Sequence, residues 1–261
     1  MKPDLKKTAN SIRQDIIRML TAAGWGNSSC IGIVDVLTAL YFEVLKHNPR
    51  KPDWEERDRV FASNNIAPAV YAALAHAGYF AKKELLNYGG SLPSNLSKEV
   101  PGVEITMGPL GQELSIAAGS ALAAKMDGRK HRVYCIIGDG EHNEGQVWEA
   151  IMFASKYKLN NLTVIIDRNN TQMDGYTENI MPLEPLKAKY ESFNWSVLEA
   201  DGHDTGHIAE ALKEPKNRPT AIICHTIPGK GVSFMENKPW HKAPTKEQEK
   251  IATAELQNAR Q

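Results

Sequence analysis

Residues 133–170 read VYCIIGDGEHNEGQVWEAIMFASKYKLNNLTVIIDRNN, and this stretch decides the fold. Two short apolar runs rich in β-branched residues, 133–137 and 162–166, enclose a helical stretch at 144–157. Apolar runs of this length are typical of strands that are buried on both faces, as in a parallel sheet. A helix between two such strands is the repeating unit of layered α/β proteins.

Similar patterns extend the predicted sheet on the C-terminal side. Thr220–Cys224 is a third apolar run, Ser196–Glu199 is a weaker strand candidate, and a helix is expected between them at 205–213. Other helices are predicted at 4–23, 34–45, 66–77, 82–88, 111–126 and 246–259, the last of these charged and peripheral. The sequence therefore predicts an α/β fold with a mostly parallel central sheet flanked by helices, in one domain spanning 1–261.

Composition excludes several classes of protein. The chain has 261 residues, of which 42% are hydrophobic and 24% charged, an ordinary balance for a globular protein. Lys+Arg and Asp+Glu both number 31, so the basic excess that is usual in nucleic-acid-binding proteins is missing. No apolar run approaches the 18 residues that a membrane span needs, so neither nucleic acid nor a membrane is an expected partner.

The cysteines and the N-terminal residues indicate a reducing compartment. Cys30, Cys135 and Cys224 are far apart and form no CxxC pair, so neither a disulfide framework nor a zinc site is expected. Residues 1–14 contain no apolar segment of the secretory type. A cytoplasmic location is therefore expected.

The residues that follow the two decisive strands are suited to a phosphate and a divalent cation. Gly138 and Gly140 allow a sharp turn and a close approach of the backbone to a ligand, and Asp139 offers a carboxylate. The carboxyl ends of neighbouring parallel strands form the ligand edge of such a sheet, so Asn169 should lie near Asp139. Mg²⁺ prefers oxygen ligands and often shares them with phosphates. A GDG tripeptide alone is more often only a tight turn.

The second half of the pattern makes it specific. GDG is followed by Asn169-Asn170 after an interval of 28 residues, 141–168, which resembles the thiamine diphosphate signature. The segments GDGEHNEGQVWEAIMFASKYKLNNLTVIIDRNNTQMDG (138–175), PGVEITMGPLGQELSIAAGSALAAKMDG (101–128) and GKGVSFMENKPWHKAP (229–244) resemble the transketolase family. The similarity covers nearly the whole chain, which is only as long as the pyrophosphate-binding domain of a full transketolase. The resemblance thus implies the thiamine diphosphate-binding fold and the N-terminal subunit of a split transketolase.

The resemblance also implies roles for individual residues. Asp139 and Asn169 match the metal ligands for Mg²⁺, or Ca²⁺ or Mn²⁺ in its place, with Thr171 supplying a backbone carbonyl. Glu144 matches an acid of the family's intersubunit carboxylate network. The positions that match cofactor contacts are Gly108, Pro109, Leu110, Gly138, Asp139, Gly140, Glu141, Asn169, Thr171 and His241. His241 also matches a histidine near the reaction centre, and it is predicted to act in catalysis together with Asn65 and Asn27.

A missing carboxylate implies a partner. Thiamine diphosphate acts as an electron sink, and its activation needs a carboxylate at the aminopyrimidine ring. In transketolases that glutamate belongs to the pyrimidine-binding domain, which this chain lacks. We therefore expect the chain to be inactive alone and to work with a C-terminal subunit in an α₂β₂ assembly, on sugar or sugar-phosphate substrates.

Departures from the family pattern indicate an unusual substrate. Asn27 and Asn65 stand where the family usually carries histidines, the GHP element before PGVE is replaced near Ser94, and Gln112-Glu113 replaces a glutamine–glycine pair. Asparagine forms hydrogen bonds but cannot act as a general base. Altered donor or acceptor specificity is the favoured interpretation over sequence drift in an ordinary pentose-phosphate enzyme, and a changed or lost reaction stays open.

Four other residues near these motifs have ordinary structural interpretations. His203 is expected in a turn, with Asp204 or Thr205 capping the next helix. Arg168 is expected to form a structural ion pair, and Lys230 does not belong to a P-loop because the motif GxxxxGK[ST] is absent. His142 is equally suited to facing the substrate or to lying in a solvated loop.

Two alternative functions stay open at this point. A decarboxylating carboligase similar to deoxyxylulose-phosphate synthase would use the same cofactor, although the segment EGQVWEA favours transketolase. The other alternative is a thiamine diphosphate-binding protein that is regulatory and non-catalytic. The metal ligands and His241 are all retained, which argues against it.

Overall fold

A parallel sheet organises the chain in the computed structural model, which describes residues 4–214, 217–238 and 240–258, without the side chain of Ser29. Its strands are β1 (Arg59–Ala62), β2 (Val133–Gly138), β3 (Leu162–Arg168), β6 (Ser196–Asp201) and β7 (Thr220–His225). They lie in the order β1-β2-β3-β7-β6 and every neighbouring pair is parallel. A two-residue hairpin, β4 (Thr171–Gln172) with β5 (Gly175–Tyr176), follows β3 directly. The predicted mostly parallel sheet is confirmed.

The register aligns the carboxyl ends of the two decisive strands. Gly138 at the end of β2 is paired with Asp167 of β3, and Arg168 is paired with His225 of β7. Polar residues that follow these strands are therefore delivered to one edge of the sheet.

Helices cover both faces of the sheet, as the near-continuous apolar strands require. Their bounds are α1 (Leu5–Ala23), α2 (Val34–Ala39), α3 (Ala67–Ala77), α4 (Glu113–Met126), α5 (Gly145–Lys156), α6 (Thr177–Ile180), α7 (Leu186–Ser192), α8 (Thr205–Lys213) and α9 (Lys246–Asn258). Alternate residues of β2 enter different cores: Tyr134 and Ile136 pack with α1–α3, whereas Cys135 and Ile137 pack with α4 and α5.

Local chemistry explains where several helices begin and end. Asp4 accepts a hydrogen bond from the Lys7 backbone N–H and so caps α1, which ends at Gly24 with a φ of 75°. Asp204 accepts from the backbone N–H groups of Gly206 and His207 and caps α8, which confirms the predicted capping role. Helix α9 is anchored on the outside of α1 by the buried Ala252 and Leu256.

The sequence missed two elements and misjudged one. Strand β1 has four residues and begins with an arginine, so it lacks the apolar run that marks the other strands. Helix α7 was missed because its sequence, LKAKYES, contains few apolar residues. The helix predicted at 34–45 is α-helical only over α2 and continues as a π-helical turn, Leu40–Val44.

Two predictions extend past the described residues. Residue 259 of the last predicted helix lies outside them, as do residues 1–3 and 259–261 of the predicted domain. Among the described helices, none combines the length and apolar character that crossing a bilayer requires.

Candidate active site

The GDG tripeptide forms a tight turn at the carboxyl end of β2. Asp139 begins a short 3₁₀ helix, Gly140–Asn143, and its Oδ1 accepts a hydrogen bond from the Gly140 backbone N–H at 2.7 Å. A Cβ on Gly140 would lie 2.9 Å from the Cβ of Gln172 in β4, so only glycine fits here. The turn is thus packed directly against the β4–β5 hairpin.

The predicted metal-binding residues meet at this turn. Asp139 Oδ2 accepts hydrogen bonds from the Asn170 backbone N–H at 2.8 Å and from Arg168 Nη1 at 2.7 Å. Asn169 Oδ1 accepts from the backbone N–H of Thr171 at 2.9 Å and from its hydroxyl at 2.8 Å. The two loops are therefore joined by hydrogen bonds, as the adjacency of β2 and β3 led us to expect.

These donors fit a hard divalent cation. A carboxylate has about four acceptor positions, and Asp139 uses three of them, so one stays available. The Thr171 hydroxyl rotates freely and would release a lone pair of Asn169 Oδ1. Among the described residues, no group of three or more His, Cys, Asp or Glu side chains is arranged to hold a metal ion. A cation here would take amide, carbonyl and diphosphate oxygens, which is the mixed set that Mg²⁺ favours.

Buried acids surround the loop from below. Burial raises the pKa of Asp139, which the Arg168 guanidinium opposes. Burial also raises the pKa of Asp167 to about 6, while a hydrogen bond from the Thr226 hydroxyl lowers it. Asp167 Oδ2 accepts from Asn169 Nδ2 at 2.9 Å and so fixes the direction of the Asn169 amide oxygen.

A second pair of acids, Glu141 and Glu113, lies beneath the GDG loop. Glu141 accepts hydrogen bonds from the Gly138 backbone N–H at 2.6 Å and from the Ser63 hydroxyl at 3.0 Å. Glu113 is fully buried and neither of its carboxyl oxygens has a partner in the described structure. Burial raises the pKa of Glu113, and the charge of Glu141 raises it further.

A cavity of about 600 Å³ opens above the loop at the carboxyl end of the sheet. Of the residues predicted from the sequence, it is lined by Asn27, Asn65, Leu110, Gly138, Asp139, Gly140, Glu141, Glu144, Asn169, Thr171 and His241. Gly108 and Pro109 do not line it. Asn64 holds their loop instead, by donating from Nδ2 to the carbonyls of Met107 and Gly108 at 3.0 and 3.2 Å.

His241 reaches the cavity with unused hydrogen-bonding capacity. Both of its ring nitrogens are buried, and neither has a partner in the described structure. Ser28 donates to the carbonyl of the adjacent Lys242 at 2.7 Å and so ties this segment to the body of the fold. Buried polar atoms are normally paired, so these two nitrogens point to a ligand.

The two asparagines that replace family histidines lie next to each other on the cavity wall. Asn65 follows Ser63, whose hydroxyl accepts its backbone N–H, in the turn Asn64–Ile66. Asn27 Nδ2 donates to the Asn65 backbone carbonyl at 3.4 Å. The pair therefore presents carboxamide groups where histidines were expected from the family pattern.

Two histidines outside the cavity have structural roles that sequence reasoning left open or missed. His142 is buried and neutral because burial lowers its pKa to about 4, and its Nε2 lies 2.8 Å from the Tyr190 hydroxyl. The interpretation of His142 as substrate-facing or solvated is therefore wrong. His203 Nε2 accepts the Ile227 backbone N–H at 2.9 Å and its Nδ1 lies 2.7 Å from Asp35 Oδ2.

Comparison with known proteins agrees with this geometry. The family model described as "Transketolase, thiamine diphosphate binding domain" matches residues 5–258. The chain belongs to the transketolase family.

Relatives of similar length place it within that family. The 6-deoxy-6-sulfo-D-fructose transketolase subunit SqwG of Clostridium sp. (strain MSTE9) is 43% identical over 265 residues, which cover 97% of this chain and 96% of SqwG. One of the two apulose-4-phosphate transketolase subunits of Phocaeicola vulgatus is 39% identical, over 88% of this chain and 84% of that protein. The crystal structure of transketolase from Campylobacter jejuni superposes with a TM-score of 0.89 at 32% identity, covering 97% of this chain.

The lengths identify the kind of transketolase chain. This chain spans only 42% of the Campylobacter jejuni transketolase chain but nearly all of SqwG. It is thus the N-terminal subunit of a split transketolase, a ketol-transferring enzyme, and its cofactor is thiamine diphosphate with a divalent metal. The decarboxylating and regulatory alternatives are not favoured by these relatives.

Proposed function

We propose that this chain transfers a two-carbon ketol unit from a ketose or ketose phosphate to an aldose, together with a C-terminal subunit that completes the active site. We further propose that residues 1–261 form one pyrophosphate-binding domain and that the enzyme is an α₂β₂ assembly in the cytoplasm. The three cysteines are free and buried, which agrees with a reducing compartment.

The convergence of distant segments on one cavity carries this proposal. Asn27, Asn65, Asp139, Asn169 and His241 belong to five separate segments of the sequence and all line the cavity of about 600 Å³. That volume lies in the usual range for a small-molecule site. Chance burial does not explain why polar residues, chosen from the sequence for one chemistry, share one cavity.

In this arrangement each group of residues has a distinct task. Asp139, Asn169 and the Thr171 carbonyl would hold the cation that neutralises the diphosphate, and Gly140 lets the backbone approach it. Bound thiamine diphosphate supplies the electron sink that cleavage of a ketose carbon–carbon bond needs. His241 offers ring nitrogens to substrate or cofactor oxygens, and Asn65 and Asn27 offer amide donors and acceptors to substrate hydroxyls.

The rim of the cavity supports the need for a partner. Leu110, Met173, Ile180 and Met181 surround its mouth and are 37%, 70%, 46% and 57% exposed. Exposed apolar side chains that cluster around a polar site are typical of an interaction surface. Glu144 lines the same cavity, where it would join a carboxylate network between subunits.

The substrate is proposed to differ from the common pentose phosphates. Two of the relatives are named for 6-deoxy-6-sulfo-D-fructose and apulose 4-phosphate. Asn27 and Asn65 support the proposal because the cavity wall that meets the substrate differs there from the family pattern.

Native mass spectrometry of the tagged chain, purified from its own source in Mg²⁺ buffer, tests the proposed assembly. We expect a complex in which two thiamine diphosphate masses accompany this chain and a second polypeptide, and we expect ketol transfer only from the complex. Turnover by this chain without a second polypeptide would contradict the proposal, as would release of CO₂ from pyruvate by the complex.

A further inference from the structure

Arg168 is a buried cation that none of the proposed catalytic tasks uses. Its side chain is 3% exposed, yet it contacts three carboxylates: Asp139 at 2.7 Å, Glu178 at 2.7 Å and Glu184 at 2.9 Å. One of these acids is the proposed cation ligand, and the other two reach in from the surface, with side chains 38% and 55% exposed. Arg168 therefore connects the metal loop to a different part of the chain.

The two outer acids belong to a segment that forms part of the cavity wall, residues 177–186. Glu178 accepts the Leu183 backbone N–H at 3.2 Å, and Glu184 accepts the Leu186 backbone N–H at 2.8 Å. Between these anchors, Ile180 and Met181 line the cavity. The same two carboxylates thus fold the segment and bind Arg168.

Sharing one guanidinium among three carboxylates affects the proposed cation ligand. Arg168 uses Nη1 for Asp139, whereas Nη2 and Nε are directed to Glu178 and Glu184. If the outer acids lost their charge, the full positive charge of Arg168 would act on Asp139 and compete with a metal ion for it. Loss of two nearby negative charges and loosening of segment 177–186 would weaken cation binding in the same direction.

We propose that Glu178 and Glu184 are positioning residues that set the affinity of the cofactor cation without touching it. They act through Arg168, by drawing its charge away from Asp139 and by holding segment 177–186 over the cavity. This inference rests on the proposed placement of the metal at Asp139.

The test is a Mn²⁺ titration, followed by electron paramagnetic resonance, on the full tagged chain purified from its own source with whatever it assembles with, at saturating thiamine diphosphate. In Glu178→Gln/Glu184→Gln we expect Mn²⁺ binding to weaken about five- to tenfold, since two half-exposed ion pairs contribute about 1 kcal/mol together. Hydrogen exchange at the amides of Leu183 and Leu186, measured without ligand, should become faster in the same variant.

Two further variants make the result interpretable. Glu191→Gln removes a carboxylate on the neighbouring helix α7 that makes no hydrogen bond with Arg168, and we expect it to leave Mn²⁺ binding unchanged. Asp139→Asn should abolish tight Mn²⁺ binding. If Asp139→Asn has no effect, the placement of the metal is wrong. If it abolishes binding while Glu178→Gln/Glu184→Gln binds as the wild type does, or no more weakly than Glu191→Gln, this inference alone is overturned.

Discussion

At the scale of single residues, the site combines groups that a stable core would exclude. Glu113 is fully buried without a hydrogen-bond partner for its carboxyl, and both nitrogens of His241 lack partners in the described structure. An unpaired buried polar group costs about 1–3 kcal/mol. For His241 a ligand would remove that cost, whereas Glu113 lies behind the loop beside Glu141.

Replacement of Glu113 by an apolar side chain of similar size is therefore expected to stabilise the protein. Its pKa is raised in the folded state above its ordinary 4.5, so the destabilisation is absent below about pH 4.5 and grows as the pH rises. We expect Glu113→Met to increase the free energy of unfolding by about 1–3 kcal/mol at pH 8 and by little near pH 4.5. Urea unfolding at both pH values measures the effect.

The exposed Glu210 on helix α8 provides the control. Glu210→Met should show no comparable difference between the two pH values. An equal gain from Glu113→Met at both pH values would mean that its charge is not the cause.

The asparagines on the cavity wall make a second prediction at this scale. Restoring histidines with Asn65→His and Asn27→His adds a titratable ring nitrogen where a substrate hydroxyl would lie. We expect transfer from ordinary ketose phosphates to rise about tenfold or more in the double variant, measured as kcat/KM in the complex. If that activity does not rise, other residues determine the specificity.

At the scale of elements, the contact between the GDG turn and the β4–β5 hairpin shapes the cofactor loop. The hairpin begins with Thr171, directly after Asn169 and Asn170, so any displacement of it also moves the predicted metal ligands. Gly140 allows this contact because a side chain there would overlap Gln172.

Gly140→Ala should therefore displace the hairpin. We expect it to lower thermal stability slightly and to weaken thiamine diphosphate binding about tenfold or more, because the predicted ligands would shift. Gln172→Gly removes the overlapping Cβ and should restore part of the affinity in the double variant. Calorimetric titration of the complexes measures this, and additive losses would argue against a steric cause.

At the scale of the whole molecule, one end of the sheet carries the site and an apolar rim, and the opposite end does not. Met181 at the mouth is 57% exposed, and Met126, at the C-terminal end of α4, is 78% exposed. Their similar exposure separates an effect of location from an effect of hydrophobicity.

Met181→Asp is expected to disrupt assembly with the partner subunit, because a charge buried in an interface costs several kcal/mol. We expect the affinity between the subunits to fall at least about tenfold, while the thermal midpoint of the isolated chain changes little. Met126→Asp should leave assembly intact. Analytical ultracentrifugation of both variants decides this, and equal loss of assembly in both would count against the rim as the docking surface.

The sequence by itself determined the parallel sheet and the meeting of Asp139 with Asn169. Both follow from local rules: buried parallel strands have continuous apolar runs, and neighbouring strands end at one edge. Strand β1 and helix α7 were missed because their short sequences lack that local signal.

Only the tertiary structure decided which side chains share an environment. It brought Asn27, Asn65 and His241 to the wall of one cavity, buried Glu113 without a partner, and connected Arg168 to Glu178 and Glu184. The physical reason is that burial and charge pairing depend on contacts between distant segments. Periodicity and spacing along the chain describe neighbours in sequence, whereas these contacts are fixed only when the helices pack on the sheet.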